Sequence, residues 1–580
     1  MGVFRYLTQF FRKYKWYYFF GIFWLLVVNV VQMMVPRLLG NITDSLAQGM
    51  LDARGLLMYA LMILGIGLIM GFGRALWRIF ITGSARRLEY YLRTKLFAHL
   101  QKMSPNYFNR MKTGDLMAHA TNDINAVRMA FGGGIIMATD AIVLTLLAGG
   151  LMVAQVGWQL TLIAIIPLPI LAVSASSFGR IIHSRFKNVQ AAFSTMTESV
   201  QENLEGARVV KAFVQEDEEI KRFEEAAQKH VDTNVHLVKV WGMLEPLVQV
   251  LATASVILIV MFGGRAVING SISIGDFVAF NSYLVMLIWP MMAIGWVINV
   301  LQRGRASMDR LNAILDEQPD IYDGDNAKDV DVQGNIEIKD LSFEYEDGHK
   351  ALKNINLNIK KGKTVAIIGR TGSGKTTLVN LLLRLANPPR GTIYVDGVDI
   401  NDIKLKNLRE SIGYVPQDNF LFSTDISNNI AFALEKTNTI EVEEAAKFAH
   451  IYDNIIEFPE KFDTMVGERG VTLSGGQKQR ISIARAIIKD PEILILDDSL
   501  SAVDTQTEEE ILKQLEDIMN NKTSIIISHR VSTVKDADEI VVMDQGEIVE
   551  RGNHDELVKQ GGLYANLNHK QQLEEKLGSA

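Results

Sequence analysis

The residues best placed to do chemistry are Gly369-Arg370-Thr371-Gly372-Ser373-Gly374-Lys375-Thr376, which fit the pattern G-x-x-x-x-G-K-[ST]. The chemistry of that pattern is the holding of a polyphosphate. Glycines let the backbone curl so that its N–H groups face inward, and a helix that starts there adds partial positive charge. Lys375 can reach β- and γ-phosphate oxygens, and the Thr376 hydroxyl can sit on Mg²⁺. An ordinary glycine-rich turn between a strand and a helix needs neither the lysine nor the threonine.

Four more polar residues stand at informative places. Asp497 closes the apolar run Ile493-Leu494-Ile495-Leu496, and a carboxylate there can hold Mg²⁺ through its water shell. Asp498 follows, where a base could orient an attacking water. Gln417 comes after Gly413-Tyr414-Val415-Pro416 and could report on Mg²⁺ and the γ-phosphate. His529 ends Ser524-Ile525-Ile526-Ile527-Ser528 and could donate to that phosphate. A lone histidine is more often structural, but the C-terminal ends of strands are where α/β proteins bind ligands. A second anion-binding helix start is written in Leu473-Ser474-Gly475-Gly476-Gln477. One ATP does not need two cradles from one domain, so this one is expected to serve a nucleotide held by another copy of the domain.

The elements that must position these groups are legible around them. Thr364–Ile368 reads as a buried strand and Thr377–Leu383 as the start of a helix. Ile336–Lys339 and Leu341–Tyr345 alternate as strands. This half is therefore expected to be an α/β phosphate-loop domain.

The other half is oily. The chain has 580 residues and a net charge of −7, which argues against nucleic acid as a partner. It has no cysteine, which excludes disulfides, thiolate metal sites and a cysteine nucleophile. Its mean hydropathy lies above zero. Residues 1–15 mix Phe4, Leu7, Phe11 and Tyr14 with Arg5, Arg12, Lys13 and Lys15, which predicts a short helix on a membrane surface. Trp16–Pro36, Gly55–Gly73, Pro246–Gly264 and Phe277–Gln302 are each long enough to cross a bilayer. Ala141–Gly179 is too long for one crossing, and Gly157-Trp158 near its middle predicts a tight turn between two, for six spans in all.

Charge orients them. Arg86, Arg87, Arg93, Lys95, Lys102, Arg110, Lys112 and Arg128 lie between the second and third spans. Arg180, Arg185, Lys187, Arg208, Lys211, Lys221, Arg222, Lys229 and Lys239 lie between the fourth and fifth. The opposite loops carry only Arg37, Arg54 and Arg265. The positive-inside rule puts both termini and both charged stretches in the cytoplasm, with the spans continued there as helices. Lys112–Leu116 and Gly206–Phe213 are the expected turn-back points. Arg74, Asp140 and Glu245 each lie ~26–29 Å from the expected outer ends of their helices, near the inner edge of the ~30 Å core. They either snorkel to the interface or form a polar ring at the mouth of a substrate cavity. Met286, Trp289, Pro290, Met291, Met292 and Trp296 lie deeper in the sixth span, as a pliable lining for apolar guests or as ordinary packing.

Taken together and in order, these motifs resemble those of an ATP-binding cassette half-transporter of the exporter type. The resemblance covers essentially the whole chain. It implies a multidomain protein: an all-α six-helix transmembrane domain in residues 1–315, a linker in 316–334, and an α/β phosphate-loop nucleotide-binding domain with a helical subdomain in 335–580. It implies that Tyr345 stacks on adenine and that Gly369 through Thr376, with Thr377, cradle the phosphates of ATP. Thr376, Gln417 and Asp497 would attend Mg²⁺. Asp498, His529 and Gln417 would carry the chemistry. Ser474, Gly475, Gly476 and Gln477 would complete a site on a second half-transporter, with Asp504 of Ser501-Ala502-Val503-Asp504 beside them. Thr464–Gly470 resembles the loop that touches the membrane domain, and the two turn-back segments resemble coupling helices.

One departure matters. Where the family carries a glutamate as its general base, this chain has Asp498. Its carboxylate is shorter by one methylene, ~1.5 Å, and misplacement of about 1 Å can cost about 10²-fold in rate. An intact signature with an aspartate base resembles the degenerate-site subunit of heterodimeric multidrug exporters of Gram-positive bacteria. The expected partners are a second half-transporter, an amphipathic small molecule and the lipid bilayer of the cytoplasmic membrane. A homodimeric lipid or peptide exporter shares every ATP motif, and an ATP-gated channel or sensor is a third reading.

Overall fold

The computed structural model of the chain describes residues 3–345, 348–436, 438–467, 470, 473–499, 511, 513, 515–519 and 521–578. It divides into two compact units, Met1–Gln101 with Lys112–Glu317, and Lys102–Met111 with Gln318–Ala580.

The first unit is all helix. Among the described residues six helical stretches are long and apolar enough to cross a membrane: Arg5–Ala47, Ala53–Leu100, Thr113–Val156, Trp158–Glu205, Glu216–Ile268 and Ile274–Asp316. Their lengths of 43 to 53 residues exceed the ~20 needed for a crossing, so the charged stretches are helical continuations of the apolar ones. Gly157, at φ 92°, makes the turn between the third and fourth. Large apolar side chains such as Phe23, Leu64, Leu68, Phe72, Leu146 and Val173 stand exposed along the spans, as a lipid-facing surface requires.

Two local expectations need correction. The basic, aromatic N-terminus is not a separate surface helix: a 3₁₀ turn at Arg5–Leu7 runs directly into Thr8–Gln32. No proline or glycine stands between Thr8 and Phe20 to break it, and ring contacts of Phe10 with Tyr14 and Tyr91, and of Phe11 with Tyr18, bind the junction to the bundle. The first turn-back is Pro105–Arg110, not Lys112–Leu116. Pro105 sits at the first helical turn, where its missing N–H costs nothing, while Thr113–Ala118 already belongs to the next helix. The second turn-back, Ala207–Ala212, falls inside the expected segment.

Polar and small residues hold the bundle together. Gly40 and Gly275 pass so closely that a Cβ on Gly275 would lie 2.1 Å from the Gly40 carbonyl oxygen, the close approach that small residues permit between membrane helices. Asp44 fastens the same crossing, accepting from Ser273 Oγ at 2.6 Å and the Gly275 N–H at 2.7 Å. Tyr283, fully buried, donates to the Met33 carbonyl at 2.9 Å. Asp140 accepts from Asn29 Nδ2 at 3.0 Å and feels the charge of Arg74. Glu245 instead accepts from Gln249 on its own helix. A hollow of about 420 Å³ is lined by Gln32, Pro36, Met70, Asn281, Ser282 and Met286, among others. Of the sixth-span residues singled out above, Met286 alone lines it.

Among the described residues the second unit holds two sheets. Strands β1 (Ile336–Glu344), β2 (Lys350–Ile359), β4 (Ile393–Val395) and β5 (Val398–Asp399) form an antiparallel sheet ordered β2-β1-β4-β5. Strands β3 (Thr364–Gly369), β6 (Ile412–Val415), β7 (Ile493–Asp497), β8 (Thr523–Ser528), β9 (Glu539–Asp544) and β10 (Glu547–Gly552) form the other, ordered β10-β9-β3-β8-β7-β6. Within it, β6, β7, β8, β3 and β9 run parallel, and β10 returns antiparallel. Both faces of β3, β7 and β8 are buried, which is why they read as unbroken apolar runs. The parallel strands therefore deliver Gly369, Asp497 and Ser528 to one edge of the sheet. Short helices at Ile426–Ile430, Thr439–Phe448 and Tyr452–Ile456 pack with Gly475–Ile487 around Val442, Ala446, Ile481 and Ile483 as a helical subdomain.

Candidate functional site

At that edge lies a cleft of about 320 Å³. It is lined by Tyr345, Thr371, Gly372, Ser373, Gly374, Lys375, Thr376, Thr377, Gln417, Asp497, Asp498 and His529. Residues from five separate stretches of sequence thus meet in one place. Gly369 and Arg370 stand behind it and present their carbonyls to Lys375 Nζ at 2.9 and 3.0 Å.

The glycines are required by geometry. A Cβ on Gly369 would lie 2.2 Å from the Met543 carbonyl oxygen. Gly374 has φ +101°, and a Cβ there would meet the Ala351 carbonyl oxygen at 2.7 Å. The helix Lys375–Leu382 starts immediately after it, aiming its free N–H groups into the cleft. Burial pulls the Lys375 pKa down, while the charges of Asp497 and Asp498 push it back up. Burial likewise raises the Asp497 pKa, and Asp498 adds to this; a hydrogen bond from Thr376 and the charge of Lys375 oppose it. Asp497 Oδ2 is buried with no hydrogen-bond partner among the described residues. An orphaned carboxylate oxygen beside a threonine hydroxyl is a donor set that fits a hard divalent cation.

Asp498 has a left-handed backbone, φ +48°, a region that aspartate tolerates better than most residues. Its N–H bonds the Ile527 carbonyl at 2.8 Å, and its own carbonyl accepts from Gln479 Nε2 at 3.3 Å. Tyr345 follows β1, and its hydroxyl donates to Thr377 Oγ1 at 3.0 Å. Its ring is thus tied to the first turn of the phosphate-loop helix.

The second cradle lies elsewhere. Ser474 caps the helix Gly475–Ile487, with Gln477 N–H to Ser474 Oγ at 3.3 Å and Ser474 N–H to Gln477 Oε1 at 2.9 Å. None of Ser474, Gly475, Gly476 and Gln477 lines the cleft. Asp504 and the rest of Ser501–Asp504 lie outside the described residues, as do Glu468 and Arg469. Arg485, in the same helix, grips the segment after Gln417: it donates to the Asn429 carbonyl at 2.8 Å, to Asn429 Oδ1 at 2.8 Å and to the Phe420 carbonyl at 2.9 Å. Burial lowers its pKa to about 10, so it stays charged at neutral pH.

Sequence reasoning missed His349, Ala351 and Ile527, which also line the cleft. His349 faces Tyr345 across a hairpin, its carbonyl accepting from the Tyr345 N–H at 3.0 Å. The Asp347-Gly348 pair, a turn signal between two strands, could have pointed to it.

Comparison with known proteins fits this geometry. Residues 18–291 match the family described as ABC transporter transmembrane region, and residues 352–501 match ABC transporter. The protein named "Probable multidrug resistance ABC transporter ATP-binding/permease protein YheI" of Bacillus subtilis is 42% identical over 573 residues, covering 99% of this chain and 98% of that one. The chain belongs to the ABC exporter family. The exporter is also similar to the ATP-dependent lipid A-core flippase of Syntrophus aciditrophicus, 38% identical over 495 residues, 85% of this chain and 82% of that one. A solved bacterial Atm1-family ABC exporter with ATP bound matches it with a TM-score of 0.77 and 27% identity, covering 97% of this chain and 99% of that one. The exporter is therefore a multi-pass membrane protein with an ATP-binding, ATP-hydrolysing domain.

Proposed function

We propose that the exporter uses ATP to move amphipathic drugs or other hydrophobic compounds out across the cytoplasmic membrane, as one half of a heterodimer. Residues 1–315 form the transmembrane domain, 316–334 the linker and 335–580 the nucleotide-binding domain. Both termini are cytoplasmic, a reading supported by the excess of arginine and lysine between the second and third and between the fourth and fifth spans. The drug class follows the name of the Bacillus subtilis relative.

The observation that carries the heterodimer reading is Asp498, an aspartate at the base position of a cleft also lined by Tyr345, Lys375, Thr376, Gln417, Asp497 and His529. Within this chain's own site Tyr345 stacks on adenine, and Gly369–Thr377 hold the phosphates. Asp498 orients the attacking water from too far back, and His529 donates to the γ-phosphate. Thr376, Gln417 and Asp497 would hold Mg²⁺, which neutralises charge on the β- and γ-phosphates when bound. Ser474–Gln477 and Asp504 complete the partner's site. Closure of the two nucleotide domains over two ATP molecules turns the membrane cavity outward, and hydrolysis resets it.

Phosphate release tests this, measured on the chain alone, on the native pair, and on the pair carrying Asp498→Asn or Gly475→Asp. Asp498→Asn should leave most turnover intact. Gly475→Asp should abolish most of it, because a negative charge would enter the surface that receives a phosphate. Vigorous hydrolysis by the chain alone, abolished by Asp498→Asn, would leave a homodimer with aspartate as a working base. A lipid-exporting reading has its own support in the similarity to a lipid A-core flippase. Stimulation of ATPase by lipids and not by drugs would select it.

A further inference from the structure

His529 lines the cleft, and its backbone is held by a residue from outside it. Gln571 belongs to the C-terminal helix Leu563–Gly578. Its Nε2 donates to the His529 carbonyl at 2.6 Å, and its Oε1 accepts from the Val531 N–H at 2.7 Å. Chemistry fixes the orientation of this amide, since a carbonyl can only accept and a backbone N–H can only donate. One side chain thus clamps the backbone on both sides of Arg530. From the other side Ser528 Oγ accepts from the Arg530 N–H at 3.0 Å and bonds Thr533 Oγ1 at 3.3 Å.

The helix that carries the clamp is itself seated firmly. Tyr564 is fully buried, and its hydroxyl bonds His554 Nδ1 at 2.8 Å. Glu550 accepts from the Leu563 N–H, and from the Tyr564 N–H at 3.0 Å, fixing the first turn. Tyr564, Leu567 and Gln571 are spaced i, i+3, i+7 and share one helical face. Tyr564 and Leu567 pack in a cluster with Ala366, Ile368, Val531 and Val534. Ile368 is the residue before Gly369. A single helix face therefore rests on the strand that feeds the phosphate loop and ends in an amide on the histidine loop.

We propose that Gln571 is a positioning residue that holds His529 at the depth needed to meet a γ-phosphate, so that the seating of the C-terminal helix sets the preference of this site for ATP over ADP. The proposal rests on the reading of His529 as a γ-phosphate donor. A loop fixed in advance pays no ordering cost when the nucleotide arrives. With the clamp gone, the stretch 529–531 loses the two bonds that Gln571 gives it, and the imidazole is held less firmly at one depth. ADP has no γ-phosphate and does not sense the change.

The test reads nucleotide affinity in this chain within the assembled transporter. An azido-adenine nucleotide photolabels the chain, and unlabelled ATP or ADP competes. Gln571→Ala should weaken competition by ATP by about fivefold to tenfold, the worth of about one hydrogen bond, and leave ADP within about twofold. Gln571→Glu, the same size, keeps the acceptor for Val531 but sets a carboxylate against the His529 carbonyl, and should show the same ATP-selective loss. His529→Ala should show it too, and the double variant His529→Ala/Gln571→Ala should be no weaker than His529→Ala alone. Equal losses for ATP and ADP, or additive losses in the double variant, would reduce Gln571 to a structural residue and overturn the proposal. No effect of Gln571→Ala and Gln571→Glu beside a clear effect of His529→Ala overturns it while sparing the histidine reading. No effect of His529→Ala overturns the histidine reading and this proposal with it.

Discussion

Lengthening Asp498 by one methylene should awaken this chain's own ATP site. Asp498→Glu carries the carboxylate ~1.5 Å further into the cleft, and a misplacement of about 1 Å is worth about 10²-fold in rate, or ~2.7 kcal/mol of barrier. The backbone sets the opposing term. Asp498 is held at φ +48°, with its N–H on Ile527 and its carbonyl on Gln479. A glutamate in that region bears strain on the order of 1 kcal/mol that aspartate largely escapes. The pinned backbone keeps its shape through the reaction, so the strain weighs on ground and transition states alike and removes little of the gain. Own-site hydrolysis should therefore rise about 10- to 100-fold. Phosphate release by the chain purified without a companion measures it, with ATP affinity determined in parallel. Adding Gly475→Asp should cancel the gain, because self-paired sites would share the signature. Unchanged or slower turnover in Asp498→Glu with normal ATP affinity would refute the reasoning from reach.

Lys375→Ala should weaken ATP binding at this site by at least tenfold, since a buried triphosphate loses a charge-assisted partner, and Tyr345→Ala should weaken it through lost stacking; unchanged photolabelling of the chain in both would count against the site. Asp497→Asn should raise the melting temperature of the nucleotide-free protein while abolishing Mg²⁺-dependent ATP binding. The sign follows from burial: the folded pKa of Asp497 is raised, so the folded state binds its proton more tightly than the unfolded chain does. Stability from this group is gained as pH falls through the folded pKa and is absent above it, and the neutral amide mimics the protonated form. Differential scanning calorimetry of both proteins at pH 7 checks it. Asp140→Asn and Glu245→Gln separate two fates: Asp140, held by Asn29, should alter efflux of cationic drugs more than basal ATPase, while Glu245, bonded to Gln249 on its own helix, should alter neither. Parallel efflux and ATPase assays decide, and a larger effect from Glu245 would reverse the assignment.

The cleft was legible because its groups end elements with simple signatures. Ile493–Asp497 and Ser524–Ser528 are apolar runs closed by a polar residue, and a parallel sheet sends such ends to one edge. The first turn-back is hidden from the sequence because Lys112-Thr113-Gly114 is polar and glycine-bearing, the usual look of a turn, whereas Ser104-Pro105 starts a helix whose place depends on distant contacts, such as Ser104 Oγ on Asp320 at 3.0 Å. The helices between Gln417 and Ser474 left little periodic trace. The helix Ile426–Ile430 is five residues long, and its position rests on Asn429 and Arg485, 56 residues apart. Gln571 gave no sign at all, since its partners are backbone groups and any residue could have supplied them.

The grip of Arg485 on Asn429 and Phe420 makes the signature helix a lever. The fulcrum sits near the end of the helix, at Arg485, and the signature sits at the other, at Ser474. The arm between them is ~16 Å. A tilt of about 5° at the fulcrum swings the tip by ~1.4 Å, more than the ~0.5 Å spread of hydrogen-bond lengths. In the heterodimer proposed above, whatever rotates the segment behind Gln417, whether a cation arriving or a γ-phosphate leaving, would be delivered to the opposite composite site as the making or breaking of contact with the partner's nucleotide. On that reading, a site too slow to turn over would still act as a clutch, engaging or releasing its neighbour according to what it holds.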